Sequence, residues 1–167
     1  MIVYVVRHAP AGLHDAARWP DDSRRPLTRQ GERKFARAAA GLGQLTPPPD
    51  VVLASPYARA WRTAELLAKH AGWPAPLECA ALAGNQSADA ALPVLAERAD
   101  AEAVALVGHE PNVSGLLSRL LAGDSDRVSA PFKKGGVARL IVPAGFKPGS
   151  AQLEWFVTPG QLRRLAR

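Results

Sequence analysis

The side chains of this sequence best suited to chemistry are Arg7, His8, Arg59 and His109, which stand in three short stretches: "VVRHAP" (5–10), "SPYARAWRTA" (55–64) and "ALVGHEPN" (105–112). A guanidinium presents a planar fork of N–H donors that matches phosphate oxygens, and a neutral imidazole can attack phosphorus or exchange a proton. Two of each describe an anion site capable of phosphoryl chemistry, provided the three stretches meet in space. Arg62 stands three residues after Arg59 and can share its helix face, but reads equally well as surface charge. His14 has no comparable setting, and His70 follows Lys69 near an expected helix end, where a cation meets the negative end of the helix dipole.

Other chemistries find little support. The four histidines make no HExxH-type pattern, the carboxylates form no magnesium cluster, and "GDSDR" (123–127) lacks EF-hand spacing and reads as a surface loop, so no metal is expected. Neither a GxxxxGK[ST] run nor a dinucleotide fingerprint follows a strand, so no nucleotide cofactor is expected either. Cys79 stands alone and can build neither a disulfide nor a cysteine zinc site within one chain. Trp19, Trp61, Trp73 and Trp155 are scattered and read as packing residues rather than as a base-stacking platform.

The elements that must position the four residues can be read around them. "IVYVV" (2–6), "DVVLAS" (50–55) and "AVALVGH" (103–109) are apolar at both alternating sets, as in strands covered on both faces. Each precedes a turn and a helix-like run, and the helices are expected at 28–41, 57–71, 87–99 and 112–122. Thr28 and Asn112 can cap the first and fourth; Gly72 and Gly123 can end the second and fourth. "GGVARLIVP" (135–143) and "QLEWFVT" (152–158) read as a hairpin through "AGFKPGS". The expected fold is therefore a three-layer α/β/α sandwich on a mixed, mostly parallel sheet, and ligands of such sheets gather outside the carboxyl ends of the strands. "QLTPPPD" (44–50) reads as a stiff helix-to-strand connection, and the terminal "QLRRLAR" (161–167) as a basic helical end or a frayed tail.

At 167 residues the chain is expected to form one domain, residues 1–167, with a core that needs no disulfide. The opening apolar run is too short for a signal peptide and no run reaches membrane-spanning length, so a cytoplasmic protein without a membrane partner is expected. The 21 Lys and Arg against 15 Asp and Glu favour anionic partners, either phosphorylated molecules or acidic surfaces. No RNA motif with interleaved aromatics is present, so nucleic acid is not the expected partner.

The stretches "VVRHAP", "LASPYARAWRTAELL" (53–67) and "ALVGHEPNVSGLL" (105–117) together resemble the histidine phosphatase superfamily, whose fold is that of phosphoglycerate mutase. The short chain, "DDSRRPLTRQG" (21–31) and "KKGGVARL" (133–140) look most like its small SixA-type phosphohistidine phosphatases. The resemblance implies that His8 is a nucleophile that becomes phosphorylated, that Arg7 and Arg59 clamp the phosphoryl oxygens, and that His109 is a further donor. It implies that Asp22 and Arg25 help form the pocket entrance, with Asp22 orienting a basic substrate group or assisting proton transfer and Arg25 binding phosphate; read without the resemblance, the two make an ion-pairing loop. Ala9 stands where the family motif has glycine, and Lys133 and Lys134 could reach an acidic rim or only solvate a turn.

Many larger relatives carry a glutamate proton donor, whereas Glu78 here has no decisive motif around it. An alkoxide leaving group needs a delivered proton; the imidazole of a phosphohistidine has a labile P–N bond and needs it less. The resemblance therefore implies hydrolysis of phosphohistidine on a signalling or phosphotransfer protein. A general phosphomonoesterase acting on sugar, nucleotide or cofactor-precursor phosphates is the first alternative, and a noncatalytic phosphoprotein- or RNA-binding module the second.

Overall fold

A computed structural model describes residues 1–166. Its six-stranded sheet comprises β1 (Ile2–Arg7), β2 (Val51–Ala54), β3 (Pro76–Glu78), β4 (Ala103–Gly108), β5 (Val137–Ile141) and β6 (Gln152–Val157), in the spatial order β3-β2-β4-β1-β5-β6. The four strands β3, β2, β4 and β1 run parallel; β5 is antiparallel to β1, and β6 to β5. The sheet is thus mixed, with the expected 135–158 hairpin at one side.

Helices α1 (Arg29–Leu45), α2 (Ala58–Ala71) and α5 (Pro159–Leu165) cover one face, while α3 (Ala91–Ala96) and α4 (Asn112–Ala122) cover the other. The central strand shows why both faces must be covered. Tyr4 and Val6 pack with Phe35, Leu42 and Leu67 on one side, and Val3 and Val5 pack with Leu95, Leu116 and Leu120 on the other. Successive strand side chains point to opposite faces, so a run without polar residues needs two apolar layers. Among the described residues no helix is long and apolar enough to cross a membrane.

Several local expectations need correction. The helix expected at 87–99 is a 3-10 turn, Ala88–Ala90, followed by the six-residue α3, and neither has a side-chain cap at its start. Asn112 does not cap α4; its amide donates instead to the carbonyls of Gln86 (2.7 Å) and Ala83 (3.4 Å), fastening the preceding loop. Helix α1 runs to Leu45, four residues beyond its expected end. Gly41 within it is a point of close approach: a Cβ there would lie 1.9 Å from the Leu162 carbonyl oxygen, so the missing side chain lets α5 dock. Thr28 caps α1 through Gly31 N at 2.9 Å, and Gly72 and Gly123 end α2 and α4 in left-handed conformation. The basic terminus is helical to Leu165 behind a capping box of Thr158 and Gln161; Arg167 lies outside the described residues.

Candidate active site

Sheet register brings the chemical residues together. Arg7 pairs with Gly108 across β1 and β4, so the next residues, His8 and His109, emerge side by side with ring centroids 5.2 Å apart. Ala54 of β2 pairs with Val107, and the following Ser55 bonds through its N–H to the Val107 carbonyl at 3.0 Å. Three parallel strand ends thus deliver Arg7-His8, Ser55 and His109 to one edge, and α2 starts there with Arg59 in its first turn. His8, Ser55, Arg59 and His109 are all buried.

His8 is held in one tautomer. Its Nδ1 lies 2.7 Å from the Ala9 carbonyl oxygen, which can only accept, so Nδ1 carries a proton and the Nε2 of the neutral ring keeps its lone pair. Burial pushes the imidazole down to about 3, with the charges of Arg59, Arg7 and Lys134 acting in the same direction and the Ala9 carbonyl opposing them. Desolvation leads, and the arginines reinforce it. The Ala9 methyl is fully buried, and its N–H donates to Thr63 Oγ1 at 2.9 Å, while the Thr63 hydroxyl donates to the Arg59 carbonyl at 2.7 Å. Thr63 therefore ties the His8 loop to the helix that carries Arg59.

Each arginine is anchored through its fork, Arg7 at one terminal nitrogen and Arg59 at both. Arg7 Nη1 donates to the Phe132 carbonyl at 2.5 Å, and Phe132 N–H in turn donates to Glu110 Oε1 at 2.6 Å. Arg59 Nη1 donates to the Asp22 carbonyl at 2.7 Å, its Nη2 pairs with Asp22 Oδ2 at 2.9 Å, and its guanidinium carbon sits 5.1 Å from the Tyr57 ring centre. His109 uses Nε2 toward Ser55 Oγ at 2.8 Å, and burial followed by His8 and Arg59 lowers it too to about 3. Five buried side-chain nitrogens lack a hydrogen-bond partner among the described residues. Three of them are Arg7 Nε, Arg59 Nε and His109 Nδ1; the other two belong to Trp73 and Arg119. Buried donors are normally satisfied, and these three orphans belong to residues that surround His8.

Asp22 gathers three basic side chains. Its carboxylate accepts from Arg25 Nε (2.7 Å) and His14 Nδ1 (3.0 Å) in addition to pairing with Arg59. The Arg25 hydrogen bond, opposed by partial burial and helped by His14 and Arg59, holds this carboxyl well below the usual carboxylate range. An acid held ionised in this way is a poor proton donor. Arg25 Nη1 also donates to the Gly12 carbonyl at 2.6 Å.

Arg62 lies outside this cluster, paired with Glu32 and Glu65 on the surface, and His70 sits in the last turn of α2. Glu78 is exposed at the end of β3, and Lys133 and Lys134 are exposed on the turn before β5. The sequence reading missed Ser55, Thr63 and Glu110, and set aside His14, which the structure places against Asp22. Ser55 ends the expected strand "DVVLAS" and Glu110 directly follows His109, signals that could have found them; the Glu110 link to Phe132 joins residues 22 apart and has no sequence signature.

Residues 3–83 match the family model for the histidine phosphatase superfamily (branch 1). An uncharacterized protein of Picosynechococcus sp. is 32% identical over 156 residues, covering 92% of this chain and 89% of that protein. The structure of the protein histidine phosphatase SixA complexed with tungstate superposes with a TM-score of 0.82 at 25% identity, covering 97% of this chain and 99% of that one. A mycobacterial glucosyl-3-phosphoglycerate phosphatase complexed with VO3 shares the fold at a TM-score of 0.72 and 17% identity, covering 94% and 99% of the two chains. The chain belongs to the histidine phosphatase superfamily and has the phosphoglycerate mutase-like fold of its SixA members.

Proposed function

We propose that the whole chain acts as one catalytic domain that hydrolyses phosphohistidine on a cytoplasmic signalling or phosphotransfer protein, through a phosphorylated His8. The observation that carries this reading is the set of three orphaned, buried nitrogens, Arg7 Nε, Arg59 Nε and His109 Nδ1, beside a neutral imidazole whose Nε2 lone pair is free. His8 Nε2 attacks phosphorus in line with the leaving nitrogen; the P–N bond breaks and the departing imidazole nitrogen takes a proton from solvent. Arg7, Arg59 and His109 stabilise the charge spread over the three phosphoryl oxygens. Water then attacks the phosphohistidine at position 8, releasing inorganic phosphate and returning its proton to solvent.

The carboxylates support phosphohistidine over an unactivated ester. Asp22 is held ionised, both Glu110 oxygens accept hydrogen bonds from Phe132 N–H and Ser114 Oγ, and Glu78 is exposed at the end of β3. None of them is set to protonate an alkoxide, whereas an imidazole leaves without that help. The test is a comparison of kcat/KM for a phosphohistidine-bearing phosphotransfer protein with that for a panel of sugar, nucleotide and amino-acid phosphate esters. Preference for the protein is expected; a preference of orders of magnitude for one small ester would replace this reading with a small-molecule phosphatase.

A further inference from the structure

We infer that Ser55 is a positioning residue that decides which ring nitrogen of His109 carries the proton, and so makes His109 a hydrogen-bond donor to the phosphoryl group. The inference rests on the phosphoryl-pocket reading above and adds to it a residue to which no role has yet been given.

Ser55 is fully buried and immobilised by its N–H bond to the Val107 carbonyl at 3.0 Å. Its hydroxyl has two contacts: Tyr57 N–H at 3.2 Å, which can only donate, and His109 Nε2 at 2.8 Å, which can do either. Consider first the tautomer with the proton on Nδ1. The hydroxyl then accepts from Tyr57 and donates to the Nε2 lone pair, and the one group left over is Nδ1–H, a donor. Consider next the tautomer with the proton on Nε2. The hydroxyl then receives two donors, its own proton has no acceptor among the described residues, and the Nδ1 lone pair is buried without a donor. Two groups are unsatisfied in the second case and one in the first, so hydrogen-bond accounting selects Nδ1–H.

The choice sets the sign of the interaction with substrate. A lone pair on Nδ1 would repel a phosphoryl oxygen, and an N–H attracts it. The question is a real one because burial keeps the ring neutral, with a single proton to place. Ring orientation is secured separately: Tyr57 lies 5.0 Å and His8 5.2 Å from the His109 ring centroid, and a Cβ at Gly84 would press to 3.0 Å on the Tyr57 ring. Ser55 thus has one task left to it, the placement of the proton.

Nitrogen-15 NMR of the imidazole nitrogens in the free protein reads the tautomer directly. In the parent protein the proton is expected on Nδ1 of His109; a proton on Nε2 would overturn the inference without any variant being made. Ser55→Ala should lose the single tautomer and lower kcat by at least about tenfold, the scale of removing one transition-state donor. Ser55→Thr, which keeps the hydroxyl, should restore both, whereas Ser55→Ala with an unchanged tautomer and unchanged kcat would also overturn it. Titration of the parent with inorganic phosphate separates the two ideas. If the His8 and His109 signals do not move, the pocket reading fails, while the tautomer spectrum still decides the role of Ser55.

Discussion

The imidazole of His8 is useful because it is neutral, and its neutrality has a testable pH signature. Burial, aided by Arg59 and Arg7, takes it from its ordinary 6.5 to about 3, and His109 follows for similar reasons. The acid limb of kcat/KM, corrected for titration of the substrate, should therefore lie well below pH 6; a limb at 6.5 assigned to His8 by NMR would contradict the burial argument. The same shifts link to stability. Between 6.5 and about 3 the unfolded chain binds protons that the folded chain refuses, so the contribution of both histidines is full above 6.5 and is lost as pH falls toward 3. Urea titrations between pH 7 and 4 should show the folded state weakening with acid. For Arg59, whose Nε is an orphan and whose fork is already aimed by Asp22, replacement by Ala should lower kcat at least about tenfold. Activity within twofold of the parent would remove Arg59 from the phosphoryl clamp. Arg7, His8, Arg59 and His109 were readable in the sequence because each sits at a strand end or a helix start, whereas the anchors of the two guanidinium groups, the Phe132 and Asp22 carbonyls, depend on the fold.

Among the elements, the turn before β5 holds the end of β1. Gly135 N–H lies 3.1 Å from the Arg7 carbonyl and 3.0 Å from that of His8, so the turn is spliced onto the two residues proposed to carry the chemistry. Gly135 has φ +84, and a Cβ there would lie 2.8 Å from Phe35 Cδ2. Gly135→Ala should therefore destabilise the fold by about 1–3 kcal/mol, as expected for a left-handed alanine with a contact to relieve. Activity should fall with it, and chemical denaturation beside an activity assay at low temperature checks both. Strands β1, β2 and β4 and the 137–157 hairpin were legible because runs of β-branched residues between turn signals have few other readings. Strand β3 was not, since three residues paired only with β2 carry no periodicity. The 87–99 segment misled because alanine-rich composition favours helix throughout, whereas the chain forms a 3-10 turn, Ala88–Ala90, and then the uncapped six-residue helix Ala91–Ala96.

At the scale of the molecule, four parallel strands converge their carboxyl ends on one edge, and the α/β alternation alone was enough to expect that edge as the site. What composition could not give was location: the excess of six positive charges is a sum, whereas Arg7, Arg25 and Arg59 meet at the site only through register and helix placement. The central claim concerns a covalent intermediate on His8, and rapid-quench labelling with a phosphorus-32 phosphohistidine protein tests it most directly. The account predicts an acid-labile phosphoenzyme mapped to His8, absent from a folded His8→Ala variant; labelling of that variant equal to the parent's, or mapping to another residue, would contradict it.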